Sequence, residues 1–284
     1  MKKKVPFKNY RYHLVPVKTD QLTIFNKEVT LEELKEQKNK LFEEIILSSK
    51  SIRGLNTSQL PLEIDYASDD IFIMKLAVDR KTTLYKNFKP LDYNNQPFIY
   101  IIINNNPEVQ KIFIEDNQNA FKKTSTVRNI LQFGYGALLA KFDLTIHIEP
   151  VIDQGTFWDF VEKNKKKIER LDFEIVKPNL ANISKSLTEP LKQLINITNS
   201  HKTSISLKAP DNGVLENITK NNTQLNNLVN YSNEGGGDNI KMKLKGVSKK
   251  ITTSNMVKET YIDSAEFEST DQLKLIDIWK KLLQ

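Results

Sequence analysis

The 284 residues include no cysteine, which removes disulfides, thiolate zinc sites, iron–sulfur clusters and cysteine nucleophiles in one step. Histidine is nearly as scarce, with His13, His147 and His201 far apart and without a partner at metal-ligand spacing. Each is expected to be structural or exposed. Glycine is sparse too. Gly134-Tyr135-Gly136 lacks the third glycine of a dinucleotide loop, and no Gly-Lys-Ser/Thr or Gly-x-Ser-x-Gly string occurs. Nucleotide hydrolysis and serine-based acyl transfer therefore have no anchor. No apolar run approaches the roughly 18 to 20 residues of a membrane-spanning helix. Met1-Lys2-Lys3-Lys4 is basic like an export signal, yet Asn9, Tyr10 and Arg11 follow where an apolar stretch is needed. A cytoplasmic address, with no catalytic residue, metal or cofactor assigned, is the expectation.

Acidic residues are missing where basic ones gather. Lys and Arg outnumber Asp and Glu by 42 to 35, a formal charge of +7, and between Asn239 and Lys258 no acidic side chain offsets the lysines. Lys241, Lys243 and Lys245 alternate with Met242 and Leu244. On a strand, three ammonium groups would share one face at about 6.5 to 7 Å intervals, a spacing comparable with that of successive phosphates. Lys249 and Lys250 follow, and Lys165, Lys166 and Lys167 form a second basic cluster. The plainer reading of the alternating strip is an edge strand protected against aggregation.

At 39% apolar residues, the chain has material for a buried core. Phe7 to Val17 alternates as a strand, and Thr30 with Glu33 forms a capping box ahead of a helix over residues 30–49. Leu62–Tyr66 and Ile71–Val78 predict further strands, while Pro97–Ile103 and Lys111–Glu115 flank the turn Asn104-Asn105-Asn106-Pro107 as a hairpin. A helix from Thr124, a strand over Phe142–Ile148, a helix over Thr156–Arg170 and a strand over Leu171–Ile175 complete a sheet with helices on it. Past Asn179 the composition turns to Asn, Ser and Thr. A smaller unit is expected there, with helices at Leu187–Ile197, Leu215–Tyr231 and Leu273–Leu282 and strands at Thr203–Leu207 and Ile240–Val247. The reading is α+β: a mixed, largely antiparallel sheet packed with helices over 1–180, then a smaller α+β domain over 181–284. Gly235-Gly236-Gly237 reads as a hinge, with close approach to a phosphate as the alternative.

Two other chemistries have weaker anchors. Asp65, then Asp79-Arg80-Lys81 at the end of the next strand, resembles an arrangement in which carboxylates hold magnesium and a lysine steadies the attacking water. Short patterns of this kind arise by chance in a chain so rich in Asp and Lys. The amphipathic helices carrying Trp158 and Trp279 are candidate protein-binding surfaces.

Three strings, Ile148-Glu149-Pro150-Val151, Leu171-Asp172-Phe173-Glu174-Ile175-Val176-Lys177-Pro178 and Ser204-Ile205-Ser206-Leu207-Lys208-Ala209, resemble in order and spacing the RexA family of lambdoid phage exclusion. The likeness covers roughly residues 140–215. It implies a two-domain, dimeric DNA-binding protein that senses phage infection and triggers an abortive response, often with a membrane or effector partner encoded beside it. Lys177 and Lys208 are its matched basic positions and join the DNA candidates, and no catalytic position carries over. The combined expectation is a homodimer that binds double-stranded DNA with little sequence specificity as a sensor in antiviral defence. Its alternatives are a magnesium-dependent nuclease and a module that recognises a phage component.

Overall fold

The computed structural model describes residues 4–17, 22–24, 27–56, 58–177 and 185–263. In its first half the strands are β1 (Lys4–Pro16), β2 (Leu22–Ile24), β3 (Lys27–Val29), β4 (Ser51–Arg53), β5 (Gln59–Ser68), β6 (Ile71–Ala77), β7 (Arg80–Lys86), β8 (Lys89–Asn95), β9 (Phe98–Asn104), β10 (Lys111–Glu115) and β11 (Leu144–Pro150). The helices among them are α1 (Leu31–Ser48) and α2 (Thr124–Leu139). The second half holds α3 (Gln154–Asn164), β12 (Ile168–Val176), α4 (Glu189–Ile197), β13 (Lys202–Lys208), α5 (Thr223–Tyr231), β14 (Lys241–Leu244), β15 (Ile251–Thr252) and β16 (Glu259–Asp263). The class is mixed α+β, as the sequence predicts.

The alternation in the opening segment makes β1 the axis of an eight-stranded antiparallel sheet ordered β11-β1-β10-β9-β6-β5-β4. One edge of β1 pairs with β10, while the other is shared between β16 along Lys4–Lys8 and β11 along Tyr10–Pro16. Tyr10, Tyr12 and Leu14 face one side and pack under α1 and α2 with Phe42, Leu131 and Tyr135. Arg11 and His13 face the other side. The capping box is formed: the Glu33 N–H donates to Thr30 Oγ1 at 3.2 Å, and the Thr30 N–H to Glu33 Oε2 at 2.8 Å.

A second sheet runs β13-β12-β14-β15, also antiparallel. Its inner face (Leu171, Phe173, Met242, Leu244) packs on Phe157 and Val161 of α3 and on Leu225 and Val229 of α5. The two principal hydrophobic clusters part between Ile148 and Ile152 and not near 180. β12, expected in the first sheet, is the hub of the second, because alternation shows which residues share a face but not which strand lies alongside. The chain then returns to the first sheet through β16. Local bounds differ as well: Ile168 opens β12 and does not close α3, and residues 215–222 lie outside any helix. The helix expected at Leu273–Leu282 falls outside the described residues. No helix among the described residues is long and apolar enough to cross a membrane.

Candidate nucleic-acid interface

The lysine strip enters the second sheet as β14, whose Met242 and Leu244 are buried while Lys241 and Lys243 point the other way. Register then decides what stands beside them. Arg170 of β12 is flanked by Lys208 of β13 and Lys243 of β14, and Asp172 by Ser206 and Lys241. Directly opposed side chains lie about 4.5 to 5.5 Å apart at Cβ, so Lys208, Arg170 and Lys243 form a cationic row across three strands. Lys250 reaches the same face and donates to Asp172 Oδ2 at 3.0 Å.

Asp172 is the carboxylate at the centre of these five cations. Burial raises its pKa, but hydrogen bonds from Arg170 Nε (2.6 Å), Ser206 Oγ (2.8 Å) and Lys250 outweigh this and hold it below the ordinary value. It positions Arg170 and Lys250 without cancelling the surplus. Exposed ion pairs are worth about 0 to 1 kcal/mol, so Lys250 can exchange Asp172 for a phosphate at little cost.

Past Leu244 the strip leaves the strand, so the expected third rung is absent. The Lys245 N–H donates instead to Lys167 O (2.7 Å), and its ammonium to Asn212 O (2.8 Å). These bonds gather three turns at one end of the sheet: 165–167, 210–213 and 245–250. Lys165, Lys166, Lys167, Lys245 and Lys249 are all exposed there. Lys165 pairs with Glu162, whereas the Lys243 ammonium donates to the Ser248 carbonyl at 3.0 Å and to no carboxylate among the described residues. Among the described residues no carboxylate lies within ion-pair distance of Lys166, Lys167, Lys208, Lys241, Lys243, Lys245 or Lys249. Nine of the ten expected basic residues thus meet on one face or at its end.

Lys177 is the exception. It follows β12 at the opposite end, about 23 Å from Arg170 at 3.3 Å per residue, and its ammonium donates to Asn199 Oδ1 at 2.8 Å. At that end Lys202 bridges Glu174 (2.7 Å) and Glu149 (3.8 Å), so its charge is paired and the cationic surplus is confined to the other end. Arg170 is the cation that sequence reasoning missed. Its alternation with Asp172 was visible, but its neighbours Lys208 and Lys243 were not.

A cleft of about 350 Å³ continues from this face. Asn239 borders both it and the depression beside Lys241 and Lys250. Across the cleft stand Lys8, Lys122, Lys123 and Arg128 from the larger sheet and the start of α2. Lys8 is paired with Glu259, and Arg128 lies 3.6 Å from Asp238 and 3.8 Å from Glu149. Lys122 and Lys123 are exposed.

The magnesium arrangement does not assemble. Asp65 accepts from Lys75 at 2.9 Å on β5, whereas Asp79 lies beyond the far end of β6, accepting from Gln96 at 2.7 Å. Lys81 sits on β7 opposite Asn94. Among the described residues no group of three or more His, Asp or Glu is placed to hold a metal ion. Trp158 is partly buried in the second cluster, its ring centroid 5.1 Å from that of Phe157, and Trp279 lies outside the described residues.

The histidines, read as unrelated, come together. His13 pairs across strands with His147, whose ring centroid lies 6.5 Å from that of His201. Burial, with Lys202, His13 and His201 nearby, pushes His147 down to about 4, and both its ring nitrogens lack hydrogen-bond partners. Glu149, two pairs along and opposite Arg11, is pushed up to about 7, chiefly by burial and by Asp238, against the pull of Lys202 and Arg128. The Gly235 carbonyl accepts a hydrogen bond from His13 Nε2 at 2.6 Å. The glycine run is no hinge. A Cβ on Gly235 would lie 2.5 Å from Arg11 Cβ, and one on Gly237 would lie 2.1 Å from Glu174 O, so the segment is wedged between the two sheets. No protein-family model, curated protein or solved structure matches the chain.

Proposed function

We propose that the chain binds duplex DNA with little sequence specificity through the outer face of the second sheet, acting as a homodimeric sensor in a phage-exclusion system. The observation that carries the binding reading is the convergence of Lys165, Lys166, Lys167, Lys208, Lys241, Lys243, Lys245, Lys249 and Lys250, drawn from four separate stretches, with Arg170 among them. A surface of this kind neutralises phosphates and displaces their counterions, and it positions a duplex without reading base edges. The exclusion role and the dimer rest on the RexA-like strings, two of which supply β12 and β13 of this sheet.

The test is a salt series of duplex binding on the wild type and on Lys208→Glu/Lys241→Glu/Lys243→Glu. The slope of log affinity against log salt should shrink by about 1 for each lysine removed. Lys177→Glu, at the far end of the sheet, should bind as the wild type does. Equal affinity of the triple variant and the wild type would remove the face from the interface.

A further inference from the structure

Among the described residues the β7–β8 ribbon has little packing of its own. From Arg80 to Asn95 every residue but Thr82 is exposed. Its root is fixed: the Arg80 guanidinium donates to Ala120 O at 2.5 Å, and Gln96 Nε2 to Asp79 Oδ1 at 2.7 Å. Seven cross-strand pairs, from Arg80↔Asn95 to Lys86↔Lys89, carry it outward, a reach of about 23 Å at 3.3 Å per residue.

Its side chains are of two kinds. Leu84 faces Leu91, with Tyr93 beside them, and Tyr85 lies on the reverse face; all are exposed, Tyr85 at 77%. Arg80, Lys81, Lys86 and Lys89 accompany them, against Asp92, which accepts from Thr83 at 2.7 Å. At the tip Asn87 and Phe88 both have left-handed backbones (φ 52° and 62°). This is the two-residue hairpin geometry that Asn-Gly usually supplies. A phenylalanine there costs about 1 to 2 kcal/mol in backbone sterics, and its ring, wholly exposed, recovers nothing by burial. A strained aromatic between two lysines at the end of a bare ribbon has the form of an insertion device.

Charge selects the occupant. A protein groove would suit the apolar residues alone, whereas the four cations fit a polyanion. A two-stranded ribbon fits a DNA groove, and apolar side chains inserted from the minor groove unstack base steps. The root also adjoins the basic surface, since the loop containing Ala120 continues into Lys122 and Lys123 of the cleft that Asn239 shares with the second sheet. We propose that β7–β8 is a nucleic-acid arm in which Lys86 and Lys89 contact phosphates and the Phe88 ring enters the base stack.

The proposal rests on the duplex-binding reading, and the experiment separates the two. Duplexes carrying 2-aminopurine at several positions are titrated with wild type, Phe88→Asn and Lys86→Glu/Lys89→Glu, following emission and affinity together. Asparagine suits the left-handed turn, so the ribbon is retained. Wild-type binding should raise the emission. Phe88→Asn should abolish the rise and weaken binding by about 5- to 100-fold, and the lysine pair should lower the salt slope by about 2. A wild type that binds without changing the emission, or a Phe88→Asn protein indistinguishable from it, overturns the arm and leaves the sheet face standing. Conversion of a dimer to a monomer by Phe88→Asn, seen by light scattering, assigns the ribbon to a second copy and also overturns it. Absence of duplex binding by the wild type at any salt concentration removes both readings.

Discussion

Two left-handed positions lie at opposite extremes of packing. At Gly235 (φ 83°) the backbone is pressed against Arg11, whose Nε donates to Glu234 O at 2.6 Å, and a side chain would have no room. Phe88 (φ 62°) carries its side chain in open solvent. In the first case contacts within the fold impose the conformation, and the residue type follows from it. In the second, the residue type opposes the conformation and packing within the described residues gives it no support. Strain that the fold explains is architecture, whereas strain that the fold leaves unexplained points to a partner.

The wedge is where the comparison is easiest to break. Gly237 is extended and needs no special dihedral, yet its Cβ position lies 2.1 Å from Glu174 O. Gly237→Ala must therefore push β12 away from the segment that joins the two sheets. We expect a loss of about 3 kcal/mol or more, read as a lower urea midpoint. A variant as stable as the wild type would mean that the glycine run yields, and the contrast with the ribbon would lose its rigid half.

The seam's titrating pair gives a smaller effect with a defined sign. Glu149 binds its proton more tightly in the fold (about 7) than its ordinary 4.5, so stability falls as pH rises from 4.5 through 7. His147 behaves oppositely: with a folded value of about 4 against 6.5, it withdraws stability as pH falls from 6.5 through 4. The two trends oppose each other between 4.5 and 6.5, and above that window Glu149 acts alone. Glu149→Gln should lie within about 1 kcal/mol of the wild type near pH 5 and exceed it by about 3 kcal/mol at pH 8, measured by urea unfolding at both values. Identical pH profiles would show that the seam admits enough water to solvate the carboxylate.

Much of this architecture was legible locally. Thr30 and Glu33 announce α1, and the Asn-rich turn before Pro107 announces the β9–β10 hairpin, because each signal is complete within a few residues. The lysine strip was legible as chemistry but not as a surface. Arg170, Lys208 and Lys243 become neighbours only through the order β13-β12-β14, which alternation does not encode. The glycine run was misread for a related reason, since glycine serves both a free backbone and a crowded one, and Arg11 and Glu174 are distant in sequence. The ribbon was missed because Leu84, Tyr85, Leu91 and Tyr93 are apolar on both faces, and its turn is marked by Asn87-Phe88 in place of Asn-Gly. It does not have the one-sided pattern of a strand that packs on its own protein.

The smallest expected effect sharpens the other half of the comparison. Phe88→Asn removes a ring that is fully exposed and supplies a residue that tolerates the left-handed turn, so the free protein should keep its free energy of global unfolding. The ribbon amides of Leu84 and Leu91 should exchange more slowly, since relief of about 1 kcal/mol of turn strain raises the local cost of opening the hairpin. Hydrogen exchange on the free chain reads both quantities at once. A drop in global stability would mean that Phe88 packs against its own protein in solution. The strain would then belong to the fold, as it does at Gly235.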